Sequence, residues 1–192
     1  MRVTPDSRPL DFLKSDLVRS PGLHASDIYN NLFEFLEPKR YAHDGPPNAV
    51  LMALGTAWES HLERLLVLSG VQAYRPGELL SPEGIAYSPD LIVFDREGRA
   101  RVGEIKLTSM ALDEIPQGEE TTLPPKFAKY LCQLQLYALW LELLYGWLAV
   151  CSIRKPYAPE FRAFNIEFTP RELEENWRMV MNHAVAEQLL TM

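Results

Sequence analysis

The chain is poor in the residues that build soft-metal or disulfide chemistry. It has two cysteines and four histidines among 192 residues. Cys132 falls in a helical pattern and Cys151 in a strand-like run, so both read as small buried apolar residues rather than redox groups. No apolar run approaches the roughly 18 residues that a membrane span requires. The first residues, MRVTPDSRPLDFL, lack the apolar core of a signal peptide, and a cytoplasmic location is the expectation. Positive charge is scarce too: 19 Lys and Arg against 26 Asp and Glu give a net charge of −7. Unspecific nucleic-acid affinity comes from Lys and Arg neutralising phosphates, so any such contact here has to come from local clusters. There is no internal repeat and no low-complexity tract. What remains is a chain 47% hydrophobic and 10% aromatic, long enough for a real core. The expectation is one domain over 1–192, with an N-terminal arm over 1–20.

The most informative stretch is Ser88 to Thr108, SPDLIVFDREGRARVGEIKLT. Ile85 to Phe94 and Arg101 to Leu107 are β-like runs, and Asp95 to Arg99 between them carries the turn signal Glu97-Gly98. Side chains alternate along a strand, so Val102, Glu104 and Lys106 share one face, and Gly103, Ile105 and Leu107 the other. A turn centred on Glu97 sets Asp90 opposite Glu104, and directly opposed residues point the same way. Asp90, Glu104 and Lys106 are therefore expected on one patch, and a one-residue slip in pairing would separate them. Adjacent carboxylates repel, and one tends to hold its proton unless a cation intervenes. Oxygen donors without a His or Cys cluster suit Mg²⁺ or Mn²⁺ rather than Zn²⁺. A bare Glu-x-Lys is more often a surface ion pair. The Pro89-Asp90 pair, one apolar strand earlier, favours a site.

Upstream, Ser26 is the expected N-cap of a helix with Asp27 in its first turn, ending before Pro38. His24 just before it is either structural or a substrate contact. Tyr41 to Asn48 reads as a loop, and Asn48 as a cap for a helix over Ala49 to Leu68, closed by Ser69-Gly70. Leu51, Leu54, Trp58, Leu62 and Leu65 form its expected buried stripe. Gly55 inside that helix implies close backbone approach, and Glu59 lies one turn further on the same side. Glu63 and His61 read as solvated. Val71 to Arg75 is a short strand candidate, and Pro76 to Gly84 is turn-rich.

Downstream, residues 109–125 are acidic, Pro-containing and without period, as expected of a flap over the site. Lys126 to Tyr145 is apolar on nearly all sides, which predicts a buried helix. Gln133 and Tyr137 share one face of it, with Lys126 and Tyr130 on or near that side. A buried amide and phenol need partners. Gly146 to Ile153 and Phe161 to Phe168 read as strands. Thr169-Pro170-Arg171-Glu172 has the form of a capping box opening a last helix to about Leu190.

Pro89-Asp90 followed by Glu104-Ile105-Lys106 resembles the signature of the PD-(D/E)XK nuclease superfamily. Gly55-Thr56-Ala57-Trp58-Glu59 is similar to the GxxxE motif of its lambda-exonuclease-like and RecB-like branches. Gln133 to Tyr137 resembles the QxxxY motif that follows, and GLHASDI near the start resembles their entry segment. The likeness spans roughly residues 22–168. It implies an α/β (α+β), restriction-endonuclease-like core: a mixed β-sheet with a central antiparallel hairpin, flanked by α-helices. It further implies that Glu59, Asp90 and Glu104 hold Mg²⁺ or Mn²⁺, with the Ile105 carbonyl as a further ligand. Lys106 would position or activate water, and Gln133 and Tyr137 would orient Lys106 or hold DNA. Lys126, Tyr130, Ser26 and His24 are the expected substrate contacts. Relatives with an iron–sulfur cluster use four cysteines, so two exclude that cluster. The implied activity is a metal-dependent DNA exonuclease of the stand-alone phage type, serving recombination, repair or phage DNA processing. The alternatives are a structure-specific endonuclease or resolvase, and a non-catalytic DNA-binding module. DNA is the implied partner, with a single-strand annealing protein and an oligomeric ring suggested at family level, and no membrane.

Overall fold

The computed structural model describes residues 20–41, 49–109, 111–112, 125–155 and 157–190. Helices α1 (Ala25–Leu36), α2 (Pro38–Tyr41) and α3 (Ala49–Leu68) come first. Strands β1 (Ala73–Tyr74), β2 (Leu79–Leu80), β3 (Ala86–Tyr87), β4 (Leu91–Phe94) and β5 (Ala100–Thr108) follow. The chain continues through α4 (Pro125–Trp140), β6 (Tyr145–Ser152), β7 (Glu160–Glu167) and α5 (Pro170–Ala186). Apart from Ser20, the expected N-terminal arm lies outside the described residues, as do the Asn48 cap and all of the expected flap except Ser109, Ala111, Leu112 and Pro125. Ala111 and Leu112 are buried.

The main sheet has the order β1-β4-β5-β6-β7. Only β5 and β6 run parallel; the other neighbours are antiparallel. This is the mixed sheet with a central antiparallel hairpin, between helices, of a restriction-endonuclease-like fold. β2 and β3 pair separately. Period-two alternation sorts the sheet residues between two helical layers. Ile92, Val102, Leu148 and Val150 face α1, α4 and α5, while Leu91, Val93, Ile105 and Ala149 face Leu62 of α3. Burial of these two apolar faces is what holds the layers together. Both cysteines are free and buried, Cys132 on α4 and Cys151 on β6. Among the described residues, no helix is long and apolar enough to cross a membrane.

Several expectations need correction. The run Ile85 to Phe94 is two strands, not one, broken at Ser88-Pro89-Asp90. Pro89 offers no N–H to a ladder, so pairing cannot continue through it. The turn-rich Pro76 to Gly84 segment contributes β2. The N-cap of α1 is His24 rather than Ser26, and Asp27 accepts the His24 backbone N–H at 3.2 Å. The α4 helix ends at Trp140, not Tyr145. Its last turn closes through Leu143 N–H to Ala138 O and Glu142 N–H to Leu139 O, with Glu142 at φ 55°. That closure is a Schellman motif without its usual glycine, so nothing in the composition marked the stop. The α3 stripe is only partly covered: Leu62 is buried, whereas Leu51, Leu54 and Leu65 are exposed. Twenty helical residues, about 30 Å, overrun the small patch of sheet beneath them.

Candidate active site

The β4–β5 ladder pairs Leu91 with Gly103 and Phe94 with Ala100. The next step of the same register sets Asp90 opposite Glu104. The turn fixes this register. Asp95 Oδ1 accepts the backbone N–H groups of Glu97 at 3.0 Å and Arg99 at 2.9 Å, and Gly98 supplies the positive φ of 77°. Burial works against the Asp95 charge, but hydrogen bonds from Arg99 and Arg101 outweigh it and hold the carboxyl well below its usual range.

Asp90 follows Pro89 and stands at the start of β4, where it is released from the ladder. Its Oδ2 accepts the Ile105 N–H at 2.7 Å and lies 4.0 Å from Lys106 Nζ. Glu104 is fully buried. Its Oε2 contacts Lys106 Nζ and accepts the Gln133 Nε2 N–H at 2.9 Å. The same amide reaches the Tyr137 hydroxyl at 3.3 Å. The ring of Tyr130 lies 5.9 Å from Lys106 Nζ. Gln133, Tyr137 and Tyr130 therefore form one side of α4 laid over the hairpin, as their spacing predicts.

Glu59 comes to this cluster from α3, on the other side of the sheet. Gly55 is not explained by close packing: among the described residues, nothing lies within 4 Å of a Cβ built there. Glu59 Oε2 instead meets Arg75 Nη1 at 3.4 Å, and Arg75 Nε meets Glu63 Oε2 at 3.4 Å. Glu63 is thus ion-paired, not merely solvated. Arg75 escapes sequence reading because no spacing rule ties a strand-end cation to a helix sixteen positions earlier.

The electrostatics follow from crowding. Burial, and then Asp90, push Glu59 up to about 7. The same two causes raise Glu104 well above its ordinary value, with Lys106 opposing them. Burial disfavours the Lys106 charge, but Glu104 and Asp90 more than offset this and hold the ammonium protonated. Burial also raises Tyr137 and Tyr130.

The remaining expected contacts divide. Ser26 and His24 line a cleft of ≈ 230 Å³ together with Glu78, Gln133 and Tyr137, so the cleft opens beside the acid cluster. His24 is buried, with Nδ1 3.8 Å from Glu78 Oε2 and Nε2 2.9 Å from Ser20 O. Lys126 is half-buried in the first turn of α4, where burial lowers its pKa and its charge acts on Lys129. Ile105 turns its side chain into the α3 layer.

Among the described residues, no three His, Cys, Asp or Glu side chains stand ready to grip a metal ion. The reason is visible: Glu59 is turned to Arg75, Asp90 to the Ile105 N–H, and Glu104 to Lys106. The donor chemistry nevertheless fits a hard cation. Glu104 Oε1 is buried with no hydrogen-bond partner among the described residues, a costly state for a carboxylate oxygen. Asp90 bears on both Glu59 and Glu104, whose pKa values are raised, and a divalent ion relieves such crowding of carboxylates.

No protein-family model and no curated protein sequence matches the chain. Solved structures do. An alkaline exonuclease (LHK-Exo) from Laribacter hongkongensis aligns over 88% of this chain and 88% of its own, at 19% identity and a TM-score of 0.51. LHK-Exo in complex with dAMP covers the same shares at 17% identity and a TM-score of 0.50. A third structure, SSO0001, covers 92% of this chain and 83% of its own at 16% identity, with a TM-score of 0.47. At these identities the likeness is one of fold.

Proposed function

We propose that the chain is a Mg²⁺- or Mn²⁺-dependent DNA exonuclease that hydrolyses phosphodiester bonds. The observation that carries this reading is the meeting of Asp90 and Glu104 at one lysine ammonium. It occurs on the central hairpin of a sheet folded like that of LHK-Exo, an alkaline exonuclease also crystallised with dAMP.

In this reading Glu59, Asp90 and Glu104 hold the ion. When bound, it stabilises charge on the phosphate and the departing oxygen. Lys106 orients the attacking water and shields the carboxylates from one another. Gln133 pins Glu104 and is itself pinned by Tyr137, so the acid is fixed before substrate arrives. Tyr130 lies against the lysine, while Ser26 and His24 face substrate from the cleft. The cleft and the acid cluster share Gln133 as their common wall, which is how a nucleotide in one would present its phosphate to the other.

The test is digestion of end-labelled linear and closed circular duplexes with Mg²⁺ or Mn²⁺. Linear DNA is expected to be degraded and circular DNA spared, since an exonuclease needs an end. EDTA, Asp90→Ala or Lys106→Ala should each abolish degradation. Undiminished cleavage in excess EDTA, or in either variant, would overturn the reading. Cleavage of the circle would reassign it to an endonuclease.

A further inference from the structure

We infer that Arg75 is a resident counter-charge on Glu59 that a divalent cation must displace, and that Glu63 sets how readily it yields. The inference rests on the nuclease reading for the ion itself; the competing residues are this chain's own.

Arg75 follows β1, at the edge of the sheet, and its guanidinium forks to two carboxylates. Nη1 lies 3.4 Å from Glu59 Oε2 and Nε 3.4 Å from Glu63 Oε2. Glu59 and Glu63 are four apart on α3, so they stack one turn from each other and one planar fork spans both. Close charge-assisted bonds between such groups run at about 2.7–2.9 Å. Both contacts here are longer, so the guanidinium is shared and committed to neither. All three side chains keep some solvent, with exposures of 35% for Arg75, 23% for Glu59 and 30% for Glu63. Such a shared, part-hydrated contact can be exchanged without unfolding anything.

Glu59 also feels the charge of Asp90. A cation approaching Glu59 meets a carboxylate already engaged by Arg75, and it also meets the guanidinium's repulsion. Glu63 offers Arg75 a second anchor, one helical turn away. With that anchor present, Arg75 can swing onto Glu63 and free Glu59. Without it, Arg75 closes on Glu59 and the ion is kept out.

The experiment is calorimetric titration of the metal-free protein with Mn²⁺ alone, without DNA. Arg75→Ala should bind Mn²⁺ about tenfold more tightly, the scale of one charge-assisted hydrogen bond. Arg75→Gln keeps hydrogen-bonding reach without charge, guards against loss of fold, and should tighten binding likewise. Glu63→Gln should weaken binding. Added to Arg75→Ala, Glu63→Gln should change nothing, because its effect passes through the arginine. Arg64→Ala removes the same charge from an exposed position on α3, the helix of Glu59 and Glu63, and should leave binding unaltered.

Unchanged or weaker Mn²⁺ binding in both Arg75 variants, beside a wild type that binds, overturns this inference alone. So does a Glu63→Gln effect that persists without Arg75, or an Arg64→Ala effect equal to that of Arg75→Ala. A wild type that takes up no Mn²⁺ overturns it together with the nuclease reading.

Discussion

Gln133 Nε2 stands 2.9 Å from Glu104 Oε2, joining the middle of α4 to the middle of β5. The bond matters because Glu104 is fully buried and its other oxygen has no partner among the described residues. Gln133→Leu would leave the carboxylate with Lys106 as its remaining donor. Stability should fall by about 2 kcal/mol, the cost of stripping a hydrogen bond from a buried charged group. On the proposed nuclease reading, with Glu104 as a ligand of the ion, cleavage should fall about 10–100-fold. Urea unfolding and single-turnover digestion read the two effects separately.

Lys106 neutralises two acids at once, so its loss should be felt first in the metal-free protein. Lys106→Met leaves Glu104 buried and uncompensated, at a cost of about 3 kcal/mol. Added Mn²⁺ should then raise the melting temperature of the variant more than that of the wild type, because the ion takes over the missing charge. Equal shifts in both proteins would show that the carboxylates and the ion do not meet.

Glu59 gives a pH dependence whose sign is fixed by its raised pKa. Its carboxyl is pushed from an ordinary 4.5 up to about 7 by burial and Asp90. Between those values the folded chain binds more protons than the unfolded one. The metal-free protein should therefore lose stability as pH rises from about 4.5 to about 7. Glu104 shifts in the same direction and adds to the slope. Glu59→Gln should flatten the Glu59 part of it, measured by denaturant midpoints across that range. A stability rising over this window would contradict the assignment.

How much of this was legible in the sequence varies by element. The hairpin register was, because the turn signal Glu97-Gly98 lies between two apolar runs and a turn centred on Glu97 sets the pairing that is found. The Thr169 cap was, because its Glu172 sits three residues on and Thr169 Oγ1 does accept the Glu172 N–H, at 3.2 Å. The α4 stop was not, because Glu142 adopts a backbone that sequence rules reserve for glycine. The exposure of Leu51, Leu54 and Leu65 was not, because periodicity marks an apolar face without saying how much sheet lies under it. Arg75 was invisible for the same kind of reason: its partners are set by where β1 docks beside α3, a tertiary fact.

Gly146 and Thr169 offer a comparison that separates stability from site geometry. A Cβ on Gly146 would stand 2.7 Å from Leu134 Cδ2 and 2.9 Å from Phe168 Cε2, so Gly146→Ala must displace both side chains, and α4 is expected to shift with Leu134. Leu134 adjoins Gln133, and the shift would pull that amide off Glu104. Overpacking of this kind costs about 1–3 kcal/mol. Thr169→Ala removes only the N-cap of α5, for about 1 kcal/mol. Both variants should melt earlier, yet only Gly146→Ala should cleave more slowly when assayed well below its melting temperature. If Thr169→Ala slowed cleavage as much as Gly146→Ala, the seating of α4 on β6 would have no special hold on the acid cluster.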